Sequence, residues 1–253
     1  MGLTIHYSFR APEANAGTAK NVIHQLWRSA TTAGFAEVGQ ILHLREDACD
    51  FNLHDADDDL RWLLIQATRH VDYSPRNDPR KRTIAIDVCP SEVIAFTTLP
   101  GAGCEPANFG LARYPKSVRF YYGGKQRNIS TRALGKGWHW HSFCKTQYAS
   151  DPRYGGVENF LRCHLGVIKV LDTAKSLGIL ANVSDEGGYW KNRDAEALAR
   201  EVGQWNEIIA AFVGALNDAI RAAEVGNVAA PILERPDFEH LEAAGHKLLK
   251  KDK

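Results

Sequence analysis

The sequence lacks the features that would assign it to several large classes of protein. It has no run of about eighteen apolar residues, so no membrane-spanning helix is predicted. Residues 1–10 alternate in polarity and lack the apolar core of a signal peptide, so export is not expected. Lys and Arg number 31 against 30 Asp and Glu, so no excess of one charge attracts nucleic acid or acidic lipid to the whole chain. Any electrostatic function is therefore expected to be local.

Cysteine pairs with the spacing of zinc or redox motifs are also missing. The five cysteines are Cys49, Cys89, Cys104, Cys144 and Cys163. They are odd in number and widely spread, and no Cys-x-x-Cys pair occurs. This pattern favours reduced thiols and a cytoplasmic location.

The composition is that of a globular protein. Of the 253 residues, 44% are apolar and 24% charged, both average values, and a chain of this length can bury a large core. Because no repeat or polar linker divides it, we predict one α+β domain over residues 1–226 and a peripheral C-terminal tail over 227–253. Two similar β-α-β-containing halves, with a boundary near 115–136, are the alternative.

Hydrophobic periodicity predicts a mixed sheet with an antiparallel meander and β-α-β units, and helices mainly on one face. Gly123 and Gly124 are predicted to form a hairpin turn. The predicted strands are 3–9, 38–44, 62–67, 71–73, 83–88, 93–98, 117–122, 126–131, 138–146 and 179–183. The predicted helices are 18–33, 157–177, 194–223 and 238–249.

One candidate site lies where strands 138–146 and 179–183 end. If these strands are parallel neighbours joined by the intervening helix, their carboxyl ends open at one sheet edge, where ligands of α/β proteins bind. Lys145 would act there as an electrostatic clamp, Asp185 or Glu186 as a general base or metal ligand, and Cys144 as a nucleophile. Gln147, Tyr148 and Tyr189 would line the same site as ligand-binding residues. A polar loop without function is the alternative.

Three histidines have the chemistry for further roles. His139 and His141 alternate on one face of a strand, as a two-histidine metal pair requires, although no third ligand is fixed by local sequence. Exposure to solvent or a place in a polar core layer is the alternative for both. His164 shares a helix face with Phe160 and Ile168, which predicts a buried, hydrogen-bonded histidine. The adjacent Cys163 is expected to pack as a small apolar residue.

Two shorter segments suggest ligand loops but lack essential residues. Segment 46–59 is predicted as a polar surface loop, and its acidic run 55–59 lacks the glycine and the terminal glutamate of a calcium-binding loop. Segment 101–105 lacks the lysine of a phosphate-binding loop, and its glycines predict a tight turn.

The most unusual feature is a stretch without acidic residues between Pro106 and Ser150. Aromatic residues interleave with its cations, a combination suited to phosphate contacts and ring stacking. Ion pairs with acids elsewhere in the chain are the alternative. The cations are Arg113, Lys116, Arg119, Lys125, Arg127, Arg132, Lys136 and Lys145, of which Arg119, Lys125 and Arg127, together with Tyr121, are predicted to bind ligand.

Three functions follow from these patterns. The first is an enzyme acting on a phosphorylated or nucleotide-like anion. The second is a module that binds nucleic acid or a nucleotide without turnover, and the third is a protein-interaction or structural protein. The sequence identifies neither a cofactor nor an oligomeric state.

Overall fold

The computed structural model describes residues 3–50, 60–76, 82–223 and 228–251. The acidic residues Asp55, Asp57, Asp58 and Asp59 lie outside these ranges. The strands are β1 (Thr4–Ala11), β2 (Glu37–Val38), β3 (Leu42–Arg45), β4 (Arg69–Tyr73), β5 (Ile84–Val88), β6 (Glu92–Phe96), β7 (Thr98–Leu99), β8 (Phe109–Arg113), β9 (Ser117–Tyr122), β10 (Lys125–Ser130), β11 (Trp138–Lys145) and β12 (Leu180–Asp185). The helices are α1 (Ala16–Thr31), α2 (Arg61–Ala67), α3 (Gly156–Ser176), α4 (Tyr189–Asn192), α5 (Ala195–Ala222) and α6 (Phe238–Lys251).

The predicted α+β class is confirmed, and the main sheet has six strands in the order β12-β1-β11-β8-β6-β3. Every neighbouring pair is antiparallel, so the sheet is not mixed. The reason is that the two strands joined by a helix are not neighbours in the sheet. Strands from elsewhere in the chain lie between them. In particular β1 lies between β11 and β12, so the prediction that these two strands are neighbours is wrong.

The core forms where α1 and α3 pack on one face of this sheet. Ile5, Tyr7 and Phe9 alternate along β1 toward these helices and are buried. On β11, Trp140 lies opposite Phe9 and is also buried, and its indole N–H donates to the Asn108 carbonyl over 3.0 Å. Large apolar side chains buried in this way contribute about 1.5–3 kcal/mol each to folding, which fixes the register of the central strands.

Segment 62–67 was predicted as a strand and is helical, as α2. Leu63, Leu64 and Ala67 are buried at helical spacing, while Trp62 is 66% exposed. The sequence prediction was wrong because so short an apolar segment shows no usable periodicity. The Ser142 hydroxyl of β11 donates to the Gln66 side chain of α2 over 2.9 Å, and Arg69 of β4 lies 2.9 Å from Nε2 of His141.

The hairpin predicted around Gly123-Gly124 is confirmed as β9–β10. Both glycines have positive φ, as a two-residue turn of this kind requires. The predicted strand 38–44 instead divides into β2 and β3, because β2 pairs with β7 while β3 pairs with β6.

The C-terminal segment 228–251 contacts the rest of the chain through α5 and through Arg235. This buried guanidinium donates to Asp237 over 2.9 Å and to the Ser150 hydroxyl over 3.3 Å. Within the described ranges, no helix has the length and apolarity to cross a membrane.

Candidate functional site

The carboxyl ends of β11 and β12 lie at the same sheet edge, on either side of the start of β1. There the Gln147 side-chain oxygen accepts from the backbone N–H of Leu3 over 3.1 Å, and the Glu186 carboxylate accepts from that of Thr4 over 2.9 Å. Both predicted site residues therefore bind the first strand. Gln147 is also buried and donates to Asn206 over 3.0 Å.

Asp185 belongs to a buried network with His164 and Thr146. The Asp185 side chain is 1% exposed, and its two oxygens accept from the backbone N–H groups of Gly187 (2.9 Å) and Trp190 (2.7 Å). Its Oδ1 lies 3.2 Å from Nε2 of His164, although the N–H direction is not aligned for a good hydrogen bond. Nδ1 of His164 is 2.9 Å from the Thr146 hydroxyl. The prediction that His164 is buried and hydrogen-bonded is confirmed.

Burial opposes ionisation of Asp185, yet its pKa is lowered. The His164 side chain and the backbone N–H groups of Trp190 and Gly187 stabilise the carboxylate and outweigh the desolvation. Because the side chain is almost fully buried and bonded on both oxygens, this arrangement holds β12 and α4 together.

The remaining residues predicted for this edge are also held by neighbours. Cys144 is fully buried, its Sγ donates to the Glu105 carbonyl over 3.2 Å, and burial raises its pKa well above the ordinary range. Nζ of Lys145 lies 4.5 Å from the centre of the Tyr148 ring and donates to its hydroxyl over 3.2 Å. Tyr189 is half-buried beside the Arg193 guanidinium.

The histidines predicted as a metal pair have other partners. His139 is buried, and Nε2 lies 2.9 Å from the Lys136 carbonyl. Desolvation, and to a smaller extent the charges of Arg10 and Arg69, lower its pKa. Nε2 of His141 lies 2.9 Å from the Arg69 guanidinium. The described residues contain no group of three or more metal-ligating side chains placed to hold an ion.

A basic pocket opens where β8 ends and β11 begins. Its volume is about 440 Å³, within the range of small-molecule sites. Of the residues that the structure describes, four cations and no acidic residue line it. The lining residues of this basic pocket are Arg113, Tyr114, Pro115, Lys116, Thr131, Arg132, Gly135, Lys136 and Gly137.

Hydrogen bonds hold the walls of the basic pocket in place. The Tyr114 hydroxyl donates to the Ala67 carbonyl of α2. The backbone N–H of Thr131 donates to the Lys116 carbonyl over 3.1 Å, and its hydroxyl donates to the Pro115 carbonyl. The segment that follows β8 is thereby fixed to the segment that precedes β11.

Among the described residues, one of the four cations has an ion-pair partner and three have none. Arg113 donates to the buried Glu92 over 2.6 Å. Burial opposes ionisation of Glu92, but His43, Arg113 and Arg45 together lower its pKa. The ion pairs within the described part of the chain do not include the other three cations, which are Lys116, Arg132 and Lys136.

The β9–β10 hairpin extends the basic surface and carries the predicted ligand-binding residues on two opposite faces. Arg119 lies opposite Asn128, and Tyr121 lies opposite Gln126, so these four side chains share one face. Tyr121 is 78% exposed.

The other face of the hairpin holds Lys125 and Arg127, which lie opposite Tyr122 and Phe120. The Phe120 ring packs against Tyr73 at a centroid distance of 5.0 Å. Arg119, Lys125 and Arg127 therefore do not form a single binding surface.

No match to this chain was found among protein-family models, curated proteins or solved structures. The site must therefore be judged on its own chemistry. At the predicted catalytic edge, the polar side chains already bind neighbouring residues. The basic pocket instead combines a cavity with cations that have no ion-pair partner among the described residues. In the sequence this pocket was indicated by the acid-free stretch together with Gly135 and Gly137.

Proposed function

We propose that this protein binds a phosphorylated small molecule of nucleotide size in the basic pocket. The observation that carries the proposal is the pairing of a cavity of about 440 Å³ with four cations and no carboxylate among its described lining residues. Arg and Lys side chains in a concave site recognise phosphate oxygens by charge-assisted hydrogen bonds. The described lining offers neither a thiol nor a carboxylate as nucleophile or base, so we propose binding and assign no residue to turnover.

We expect Lys116→Glu, Arg132→Glu and Lys136→Glu each to weaken binding by about tenfold to a hundredfold, because a hydrogen bond to a charged group contributes about 1.5–3 kcal/mol. The probes are pyrophosphate and a fluorescent nucleoside triphosphate, titrated at low and moderate salt. The wild-type affinity should fall as salt rises, because the attraction is electrostatic.

The matched controls are Lys20→Glu, Lys191→Glu and Lys247→Glu. They make the same charge change at exposed positions outside the pocket and should retain wild-type affinity. Equal losses in both sets would mean that only net charge matters, and no binding by the wild type would refute the proposal.

A second candidate is single-stranded nucleic acid, which the exposed Tyr121 beside Arg119 favours. Stacking of one base on an aromatic ring contributes about 1–3 kcal/mol. We expect Tyr121→Ala to weaken oligonucleotide binding by tenfold or more, while Tyr121→Phe and Tyr154→Ala leave it unchanged. Tyr154 is a suitable control because it is 43% exposed and lies outside the hairpin. Unchanged binding by Tyr121→Ala would exclude stacking on this face.

A further inference from the structure

Cys104 ends a tight turn that is fastened to α3. Its backbone N–H donates to the Gly101 carbonyl over 3.1 Å. The Asn159 side chain donates to the Ala102 carbonyl over 3.1 Å, and Arg162 donates to the Pro100 carbonyl over 3.1 Å. The position of Cys104 is therefore set by side chains that flank Cys163 on the helix.

The turn touches α3 because residue 101 has no side chain. A Cβ atom there would lie 2.5 Å from Sγ of Cys163, which is closer than real contacts allow. Cys104 packs against the core cluster that contains Cys163. The turn that carries Cys104 and the helix that carries Cys163 are thus in contact, although they come from distant parts of the chain.

The surroundings of this thiol pair favour one proton shared between two sulfurs. Nη2 of Arg162 lies 3.4 Å from Sγ of Cys163. The Cys104 thiol, more than the Arg162 charge, lowers the pKa of Cys163 against the effect of burial. The same interaction, together with burial, raises the pKa of Cys104. A guanidinium beside a thiol pair is the setting in which cysteines become reactive.

The two sulfurs differ in access. Cys163 is 0% exposed, whereas Cys104 is partly exposed and lines a cavity of about 280 Å³ together with Tyr148 and Tyr154. A small oxidant can therefore reach the pair from the Cys104 side.

We propose that Cys104 and Cys163 form a reversible disulfide when the protein meets hydrogen peroxide or an organic hydroperoxide. The Cys104 proton passes to Cys163, and the Cys104 thiolate attacks the peroxide oxygen, which gives a sulfenic acid and releases hydroxide or alkoxide. Cys163 then loses its proton and attacks Sγ of Cys104, which forms the S–S bond and expels the sulfenic oxygen as water. The two thiols are oxidised by two electrons and the peroxide is reduced to water or alcohol and water. A dithiol reductant reverses the change by exchange.

The test is peptide mapping of the full chain after treatment with hydrogen peroxide and blocking of free thiols. Cleavage after Lys, Arg and Glu separates Cys89 from Cys104 and should give residues 93–113 linked to residues 163–169, because the Glu105–Pro106 bond resists cleavage. Two of the five thiols should be lost, and dithiothreitol should restore them.

The variants Cys104→Ser and Cys163→Ser should abolish the linked peptide, while Cys144→Ser should retain it, because Cys144 is buried and held as a thiol by the Glu105 carbonyl. A link between Cys49 and Cys89, a persistent sulfenic acid at Cys104, or full retention of five thiols would each overturn the proposal. The wild-type map decides the question even if a variant fails to fold.

Discussion

Replacement of Asp185 by alanine is expected to lower the free energy of unfolding by about 3–5 kcal/mol. The change leaves two partly buried backbone N–H groups without an acceptor and removes the buried carboxylate beside His164. The matched control is Asp172→Ala, which breaks an exposed ion pair with Arg193 and should cost less than about 1 kcal/mol. Urea unfolding followed by circular dichroism measures both.

The same carboxylate predicts how stability changes with pH. The pKa of Asp185 is lower in the folded chain than its ordinary value of 3.8. Its contribution is therefore present above that value and disappears as the pH falls through the lower, folded pKa. The difference in unfolding free energy between wild type and Asp185→Asn should be largest near neutral pH and shrink below about pH 4. A difference that stays constant at low pH would mean that the carboxylate charge does not stabilise the fold.

Gly137→Ala is expected to have the second largest effect, and Gly34→Ala is its matched control. Both glycines have φ of +78°, so each substitution places a side chain in the left-handed region, at about 1–2 kcal/mol. At Gly34 nothing lies within 4 Å of the new Cβ, whereas at Gly137 the Pro12 carbonyl oxygen would lie 2.4 Å away. That overlap should add about 1–3 kcal/mol.

Thermal unfolding of the two glycine variants measures the difference directly. Equal melting temperatures would show that the backbone at Pro12 can move away from the new side chain without loss of stability. Because Gly137 also lines the basic pocket, its variant should be tested for ligand binding under conditions where it is fully folded.

Local features of the fold followed from local sequence. The alternation in residues 3–9 predicted strand β1, and Gly123-Gly124 predicted the hairpin. The observed register of the hairpin places Arg119 on the face opposite Lys125 and Arg127, because directly opposed residues share a face. The charge of the basic pocket was likewise visible as the acid-free stretch.

The remaining features depend on contacts that local patterns do not encode. The pairing of β1 with both β11 and β12 joins residues that are far apart in the chain. Because of that pairing, polar side chains at the predicted catalytic edge, such as Gln147 and Glu186, accept hydrogen bonds from the start of β1. The space beside Lys116 and Lys136 likewise depends on how the segments around β8 and β11 meet.

The central position of β1 also determines when the sheet can be completed during synthesis. The backbone N–H of Thr4 donates to Glu186, which lies 182 residues later in the chain, so this hydrogen bond cannot form until Glu186 has been synthesised. At about 5–20 residues per second, a ribosome needs roughly 10–40 s to supply that partner. During this interval β1, whose apolar face carries Ile5, Tyr7 and Phe9, cannot pair with both of its neighbouring strands. The β1 strand leaves the ribosome before β11 and β12 and is covered only after they have been made, and folding by long-range pairing of this kind is slow and exposed to aggregation.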